Sequence, residues 1–467
     1  MGQGGHLLLK NKTPYRWKLT HKHSYQMKYW DNSFPSIIEP GSFAHVYIEW
    51  TEGTKNKKDD AGEIDYVMEG INASFQIQAR AKNGFEINIL FKNFHTNQIG
   101  NGETIRLGWS HNNSLVFMIA GSNGQFTSLG SRQNANKWMI NLNDNKKLNE
   151  ITIPGSHDTC TYDMSLVNYG YLLNLINIIP TVDPFSLLLK GAISLGGSLA
   201  VNRVVAFSQC QEMNLRKQLD RGLRFLDIRL KKEENHLQAY HGGIKIPMTF
   251  SQITQTCYEF LKLNSSETII MSIQNEGDGN KPIGVLVKSE IDANKEKWYV
   301  DSSIPRLGNG TNKEDARGKL VLLRRYAQQA DETKIGINIS DIWPQNTQKE
   351  NLVNSDNQLF SIQDEYQDYI LNKLDHKFLN HVRPFLKETA NTLFINFTSG
   401  IGTTGGFVFP KTLAKGDESF STFKGTNQLL FNHLLDKMNG VYGIIPMDFP
   451  EYPNDSLIPL IISTNHF

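Results

Sequence analysis

The sequence predicts two architectures in tandem: an all-β sandwich over residues 1–135 and an α/β TIM-type barrel, regular or irregular, over residues 136–467. Three observations predict this. Up to about residue 135, apolar and polar residues alternate at period two, the signature of half-buried strands. Beyond an Asn-rich joint at residues 133–136, eight apolar strand-like runs recur, separated by helical or loop stretches. Polar side chains able to do chemistry stand just after several of these runs, where a parallel barrel gathers its site. A length of 467 residues also exceeds one ordinary core and suits two domains.

In the first region, Phe75, Ile77 and Ala79 alternate with Gln76, Gln78 and Arg80, and Phe85, Ile87, Ile89 and Phe91 share one parity. Asn83-Gly84 between these runs predicts a hairpin with a type I′ turn, because both residues tolerate positive φ. Further strands are expected at residues 17–20, 44–50, 105–109 and 114–119, with another turn at Ser122-Asn123-Gly124. Short strands without a long helical pattern predict an antiparallel sandwich. His21, His23, His45, His95 and His111 are scattered and form neither a catalytic nor a metal-ligating pattern. Tyr25, Tyr29 and Trp30 read as core residues, or as contacts to a membrane or glycan. The module reads as a binding or targeting domain whose ligand the sequence does not identify.

In the second region the expected strands are residues 151–153, 224–230, 237–240, 268–273, 319–323, 358–362, 392–397 and 443–447. Helix-like stretches fall at 249–263 and 368–386. Barrel geometry would bring His157-Asp158, Asp227, Arg229, His241, Gln274-Asn275, Arg324-Arg325, Asp364, Tyr366 and Asp448 around one mouth.

Composition excludes several classes. With 48 basic and 47 acidic residues, nothing points to nucleic acid. Cys160, Cys210 and Cys257 fit neither a disulfide framework nor a zinc spacing and read as buried thiols. The N-terminus lacks the shape of a signal peptide, and His6 stands where myristoylation of Gly2 prefers Ser or Thr. The expected location is soluble or peripheral at membranes, with secretion by a non-Sec route left open.

Six motifs, in order, resemble the X domain of bacterial phosphatidylinositol-specific phospholipases C. They are Ile153-Pro-Gly-Ser-His-Asp158, Arg224-Phe-Leu-Asp-Ile-Arg229, His241-Gly242, Ser266-Glu-Thr-Ile-Ile-Met-Ser272, Gly318-Lys-Leu-Val-Leu-Leu-Arg-Arg-Tyr326 and Asn396-Phe-Thr-Ser399. The resemblance runs from about Lys137 to Asp448 and leaves the first 135 residues uncovered. It implies cleavage of phosphatidylinositol by its own 2-hydroxyl, giving diacylglycerol and inositol 1,2-cyclic phosphate, with GPI-type lipids sharing the reacting unit. By the same resemblance His157 is the general base with Asp448 holding its ring, and His241 is the general acid paired with Asp227. Arg229 binds the phosphate, Asp158 completes that network, and Arg325, Asp364 and Tyr366 meet the inositol. No cofactor and no metal is expected: Arg229 takes the place of an acidic ligand found in calcium-dependent relatives.

Two features depart from the pattern. Gln274 replaces a substrate-contacting lysine, and Phe449 stands where a tyrosine is usual. Gln274 supports an alternative reading, a catalytically weak lipid-binding or toxin-like protein whose barrel only docks to membranes. A metal-dependent glycerophosphodiesterase barrel is a third reading, disfavoured because no acidic cluster accompanies His157. The apolar stretch 171–206 is interrupted by Lys190, Asn202 and Arg203. It reads as a buried helical hairpin or an interfacial anchor beside the mouth rather than a membrane span.

Overall fold

The computed structural model describes all residues except 1–3, 52–56, 177–183, 278–281, 330–333, 368, 389–390, 403–406 and 418–422. The N-terminal region is two facing sheets. One runs in the order Gln125–Gly130, Leu115–Ser122, Gly4–Lys12, Ser42–Trp50, Met27–Tyr29. The other runs Ile37–Ile38, Trp17–Tyr25, Ala61–Met68, Ser74–Arg80, Glu86–Lys92, Thr104–Gly108. Alternation explains the packing: along Ala61–Met68 every second residue is buried, and Ile64, Tyr66 and Met68 point between the sheets. Aromatic rings close the gap, with Phe75 of one sheet 5.7 Å from Phe117 of the other.

Three details differ from expectation. Gly4–Lys12 pairs parallel with Leu115–Ser122, so the region is not wholly antiparallel. All of the second sheet and two further strands of the first lie in the chain between them, which supplies the long crossover a parallel pair requires. The type I′ geometry belongs to Asn123-Gly124, where φ is 52° and 81° and Ser122 pairs Gln125. Asn83-Gly84 does lie in a hairpin, but the ladder ends at Arg80 and Glu86, and in that loop Gly84 is the residue with positive φ. Finally, Trp30 is core while Tyr25 and Tyr29 are exposed.

Two strands of the first sheet, Gly4–Lys12 and Leu115–Ser122, are buried on both faces. Leu7, Leu9, Phe117 and Ile119 enter the core between the sheets. Leu8, Val116, Met118 and Ala120 instead join the core of the C-terminal body. This accounts for continuous apolar runs where one-sided strands would alternate. Lys10 crosses with them, donating from Nζ to the Lys437 carbonyl at 2.6 Å and to Ser463 Oγ at 3.0 Å.

Among the described residues, seven strands of the C-terminal body run parallel in the order Leu320–Arg324, Ile269–Asn275, Phe225–Glu233, Ile153–Ser156, Ile444–Met447, Thr392–Asn396, Leu359–Gln363, and the short strand Trp298–Tyr299 also pairs parallel with Leu320–Arg324. Every residue of Leu320–Arg324, Thr392–Asn396 and Ile444–Met447 is buried, which matches their largely apolar sequence. Ile337–Asn338 adds to one end and the antiparallel strand Gln348–Val353 to the other. Among the described residues no strand pair joins those ends. Asn354 Nδ2 bridges them to the Asn338 carbonyl at 2.8 Å.

The expected strand at 237–240 is not one of the parallel set. His236–His241 is the middle of an antiparallel meander growing from the far end of Phe225–Glu233. Parallel and antiparallel strands share the same periodicity, so spacing does not separate them. The expected helix at 249–263 forms as Phe250–Leu263, and Thr249 and Gln252 make its capping box. The stretch expected to be helical from 368 is broken instead into short turns: Leu371–Lys373, a π-helical turn Lys377–Val382, and Arg383–Phe385. Asp368 itself lies outside the described residues.

Candidate active site

The first parallel strand can lie close to its neighbour because Gly155 has no Cβ; one would sit 2.8 Å from the Phe225 side chain. The chain then leaves the sheet with Asp158 at φ 43°, a left-handed conformation uncommon for a non-glycine residue. That turn is held from several sides. The Asp158 amide donates to Asp227 Oδ2 at 3.1 Å, and the Thr159 amide to the Asp227 carbonyl at 3.0 Å. Gln211 Nε2 donates to the carbonyls of His157 at 2.7 Å and Met447 at 2.9 Å. His157 and Asp158 are therefore fixed at the strand tip.

His157 Nδ1 lies 2.8 Å from Asp448 Oδ1, and the ring meets Phe397 edge-on at 5.7 Å. Asn427 Nδ2 anchors the Asp448 carbonyl at 2.9 Å. The other ring nitrogen, Nε2, is 2.9 Å from Arg229 Nη2 and 3.2 Å from Asp158 Oδ2. A neutral His157 donates from Nδ1 to Asp448 and accepts from Arg229; a protonated one faces Asp158 with its second N–H. Burial alone would lower this imidazole, but Asp158 and Asp448 outweigh burial and the Arg229 charge and raise it to about 9.

His241 arrives from the meander. Its Nδ1 lies 2.9 Å from the Ser208 carbonyl, an acceptor only, so Nδ1 carries a proton and Nε2 faces the site. The carboxylate 3.1 Å from Nε2 is that of Asp158. Asp227, expected as its partner, holds Arg229 at 3.2 Å and faces Arg325 at 3.8 Å. Both imidazoles thus converge on one oxygen, Asp158 Oδ2.

Arg229 is the electrostatic centre. Its guanidinium reaches Asp158 at 2.7 Å, Asp227 at 3.2 Å and Glu276 at 3.3 Å. Burial opposes its charge, yet those carboxylates hold it well above the ordinary arginine range. Gln274 Nε2 also donates to Glu276, at 3.3 Å. Glu276 escaped the sequence reading although it stands two residues beyond Gln274, just past the end of the strand Ile269–Asn275, and that shared parity was the signal that could have found it.

Beside this centre, Arg325 stacks 3.6 Å over Trp343 and reaches Asp364 Oδ2 at 3.3 Å. Trp343 Nε1 donates to the same oxygen at 2.8 Å. Tyr366 sits further out, its phenol accepting from Gln345 at 2.6 Å. Beneath them, fully buried Lys377 donates to Gln363 Oε1 at 2.9 Å and to the Glu365 carbonyl, bracing the turn that carries Asp364. Burial pulls its ammonium down to about 7 despite Asp364 and Glu365 nearby. Trp343 and Lys377 lie in irregular segments without a periodic pattern. Ser208 and Gln211 follow the apolar insertion, where sequence showed only hydrophobicity.

Comparison with known proteins accords with this geometry. Residues 194–326 match the family model of the phosphatidylinositol-specific phospholipase C X domain. The 1-phosphatidylinositol phosphodiesterase of Listeria monocytogenes is 26% identical over 331 residues, covering 71% of this chain and 85% of the relative. The enzyme of the same name from Staphylococcus aureus is 23% identical over 305 residues, 64% of this chain and 81% of that protein. A solved structure of the S. aureus phosphatidylinositol-specific phospholipase C superposes with a TM-score of 0.52 at 21% identity, covering 72% of this chain and 98% of that one. This likeness gives the C-terminal body a TIM-like α/β fold. The chain is similar to the bacterial-type phosphatidylinositol-specific phospholipases C and carries a β-rich region at its N-terminus.

Proposed function

We propose that this protein is a phosphatidylinositol phosphodiesterase of the lyase type, with diacylglycerol and inositol 1,2-cyclic phosphate as products. The observation that carries the reading is the convergence of His157 and His241 on Asp158, with Arg229 between the carboxylates. His157, held by Asp448, takes the proton of the inositol 2-hydroxyl, and that oxygen attacks phosphorus within the same molecule. The bond from phosphorus to the diacylglycerol oxygen breaks, and His241 protonates the leaving alkoxide. Arg229 balances the phosphorane oxygens. Arg325, Asp364, Tyr366 and Gln274 face the inositol, and GPI-type lipids share the same reacting unit.

The proposed mechanism uses no metal, because the Arg229 guanidinium already supplies the cation between Asp158, Asp227 and Glu276. Gln274 favours a second reading, a weak catalyst that mainly docks to lipid, since its amide turns to Glu276. One assay separates these. Purified protein on phosphatidylinositol vesicles is expected to release the cyclic phosphate equally with and without EDTA. Loss of activity with EDTA overturns the metal-free mechanism, and no product under either condition favours the binder.

The pH dependence follows from His157. A base works unprotonated, so kcat/KM climbs as pH rises through the elevated pKa of His157. Asp448→Asn removes one of the two carboxylates that raise it. The acid limb of kcat/KM should then move to lower pH by about one unit or more, alongside a lower maximum. A limb that stays in place removes His157 as the titrating base.

Division at residues 135/136 into a targeting module and a catalytic body belongs to the same proposal, as does a body closed into an irregular barrel by side chains at its open seam. So does a peripheral stance on membranes. No helix among the described residues is long and apolar enough to cross a bilayer. The insertion instead forms helices Tyr169–Leu175, Pro184–Ile193 and Gly197–Ser208, which together with the turn at Leu195 expose Leu173, Leu187, Leu195 and Leu199 while Leu172, Leu189 and Val204 are buried. The apolar stretch 171–206 thus divides its apolar residues between core and surface, and residues 177–183 lie outside the described ones. The last helix leads from Leu199 down to Ser208, which touches His241. Leu195→Ser with Leu199→Ser should weaken vesicle sedimentation by tenfold or more, since each buried leucine contributes about 1.5–3 kcal/mol. Unchanged sedimentation would show that this surface does not meet lipid.

A further inference from the structure

Cys210 lies in the site, and nothing in the proposed reaction uses it. Its thiol is buried and free of any disulfide. The backbone around it is clamped: its amide donates to Thr161 Oγ1 at 3.0 Å and its carbonyl accepts from the Phe449 amide at 2.9 Å. The thiol itself faces the Ser208 carbonyl at 3.9 Å, the same carbonyl that His241 Nδ1 meets. Ligating atoms of Asp158, Cys210 and His241 all lie within 4.8 Å of one another, and all three residues are buried. A second group, His157, Cys210 and Asp448, shares the same sulfur.

Two further observations point to an ion rather than to packing. Asp158 Oδ2 is buried and accepts no hydrogen bond of good geometry, although it faces both imidazoles. His241 gives its Nδ1 proton to a backbone carbonyl and turns Nε2 inward, the arrangement that orients metal-ligating histidines. We propose that Cys210, Asp158 and His241 form an inhibitory site for a thiophilic divalent ion, Zn²⁺ or Cd²⁺. Sulfur, imidazole and carboxylate together suit such ions, whereas Ca²⁺ and Mg²⁺ require oxygen. Bonds of about 2.0–2.3 Å need the three ligands to draw in slightly, and leave a fourth position open toward the mouth. Binding replaces the thiol proton, which leaves to solvent, with sulfur passing from S–H to S–Zn. The ion also occupies His241 Nε2, the atom that would deliver a proton to the leaving group. Cleavage stops because the acid is capped, not because the lipid is displaced.

This inference rests on the proposed role of His241 only for its effect on activity, so it is tested first without catalysis. Full-length protein freed of metal is titrated with Cd²⁺ and the ultraviolet cadmium–thiolate charge-transfer band is followed. One equivalent per chain is expected, with proton release. Cys210→Ala and Cys210→Ser should each weaken binding by at least about 100-fold, the upper end of what losing even an outer-shell partner costs. Cys160→Ala should keep the band, since Cys160 belongs to no such group among the described residues. Zn²⁺ should then inhibit release of the cyclic phosphate from vesicles by the wild type, with an inhibitory concentration at least tenfold higher for Cys210→Ala, and Ca²⁺ should not inhibit. A band of equal strength in Cys210→Ala, or none in a folded wild type, overturns the site. A Cys210-dependent band in a protein that never cleaves lipid keeps the metal site and removes the lyase reading instead.

Discussion

Replacing His157 or His241 with alanine lowers kcat on phosphatidylinositol vesicles by about 10³-fold each, within the 10²–10⁴ that a positioned acid or base contributes. The two losses have different companions. His157→Ala strands Asp448, whose carboxylate is buried and loses its 2.8 Å partner, so some stability should go with the activity. His241→Ala frees the Ser208 carbonyl at the end of the insertion, a milder loss. A double variant should fall little below the worse single one, because acid and base serve the same displacement step. A substrate with a more acidic leaving group distinguishes the roles. It should restore much of the rate to His241→Ala, where no proton need be delivered, and little to His157→Ala. Near wild-type rates for a folded variant of either histidine would take that residue out of the mechanism.

The parts of this site visible in sequence are those the sheet itself delivers. His157, Asp227, Arg229, Asp364 and Asp448 follow or end apolar runs, and parallel strands turn such positions toward one rim. Glu276 was within reach of the same reasoning, two residues beyond Gln274 on the same face. What periodicity could not supply were partners from irregular chain: Trp343 over Arg325, Lys377 in its π-helical turn, and Ser208 behind His241. The origin of His241 was obscured for a related reason, since an antiparallel meander reads like one more parallel strand. In the N-terminal region the alternation placed the strands, whereas turn type depended on register. Ser122 pairs Gln125 directly across Asn123-Gly124, while the Asn83-Gly84 ladder stops short of its turn.

Far from the mouth, Glu267→Ala should cost about 3–5 kcal/mol of stability, the loss expected when one partner of a buried ion pair is removed. Arg224 and Glu267 are both fully buried and meet at 2.9 Å. Arg224 also donates to the carbonyls of Ala135 at 3.0 Å, Asn136 at 2.9 Å and Leu219 at 2.7 Å, while Glu267 accepts from the Met139 amide at 3.1 Å. The pair therefore pins the joint between the β-rich region and the α/β body. Burial pushes the Glu267 carboxyl up and the Arg224 guanidinium down, in each case against the pull of the partner. Desolvation thus outweighs the mutual attraction, so the pair itself adds little, and the damage comes from leaving a guanidinium alone in the core. Arg224→Met with Glu267→Leu should consequently lose less than Glu267→Ala alone, even though several carbonyls forfeit their donor. Urea unfolding of the wild type, both single variants and the double checks this, read from midpoints at constant slope. A double variant less stable than either single one would show that Arg224 acts through the joint carbonyls rather than through Glu267.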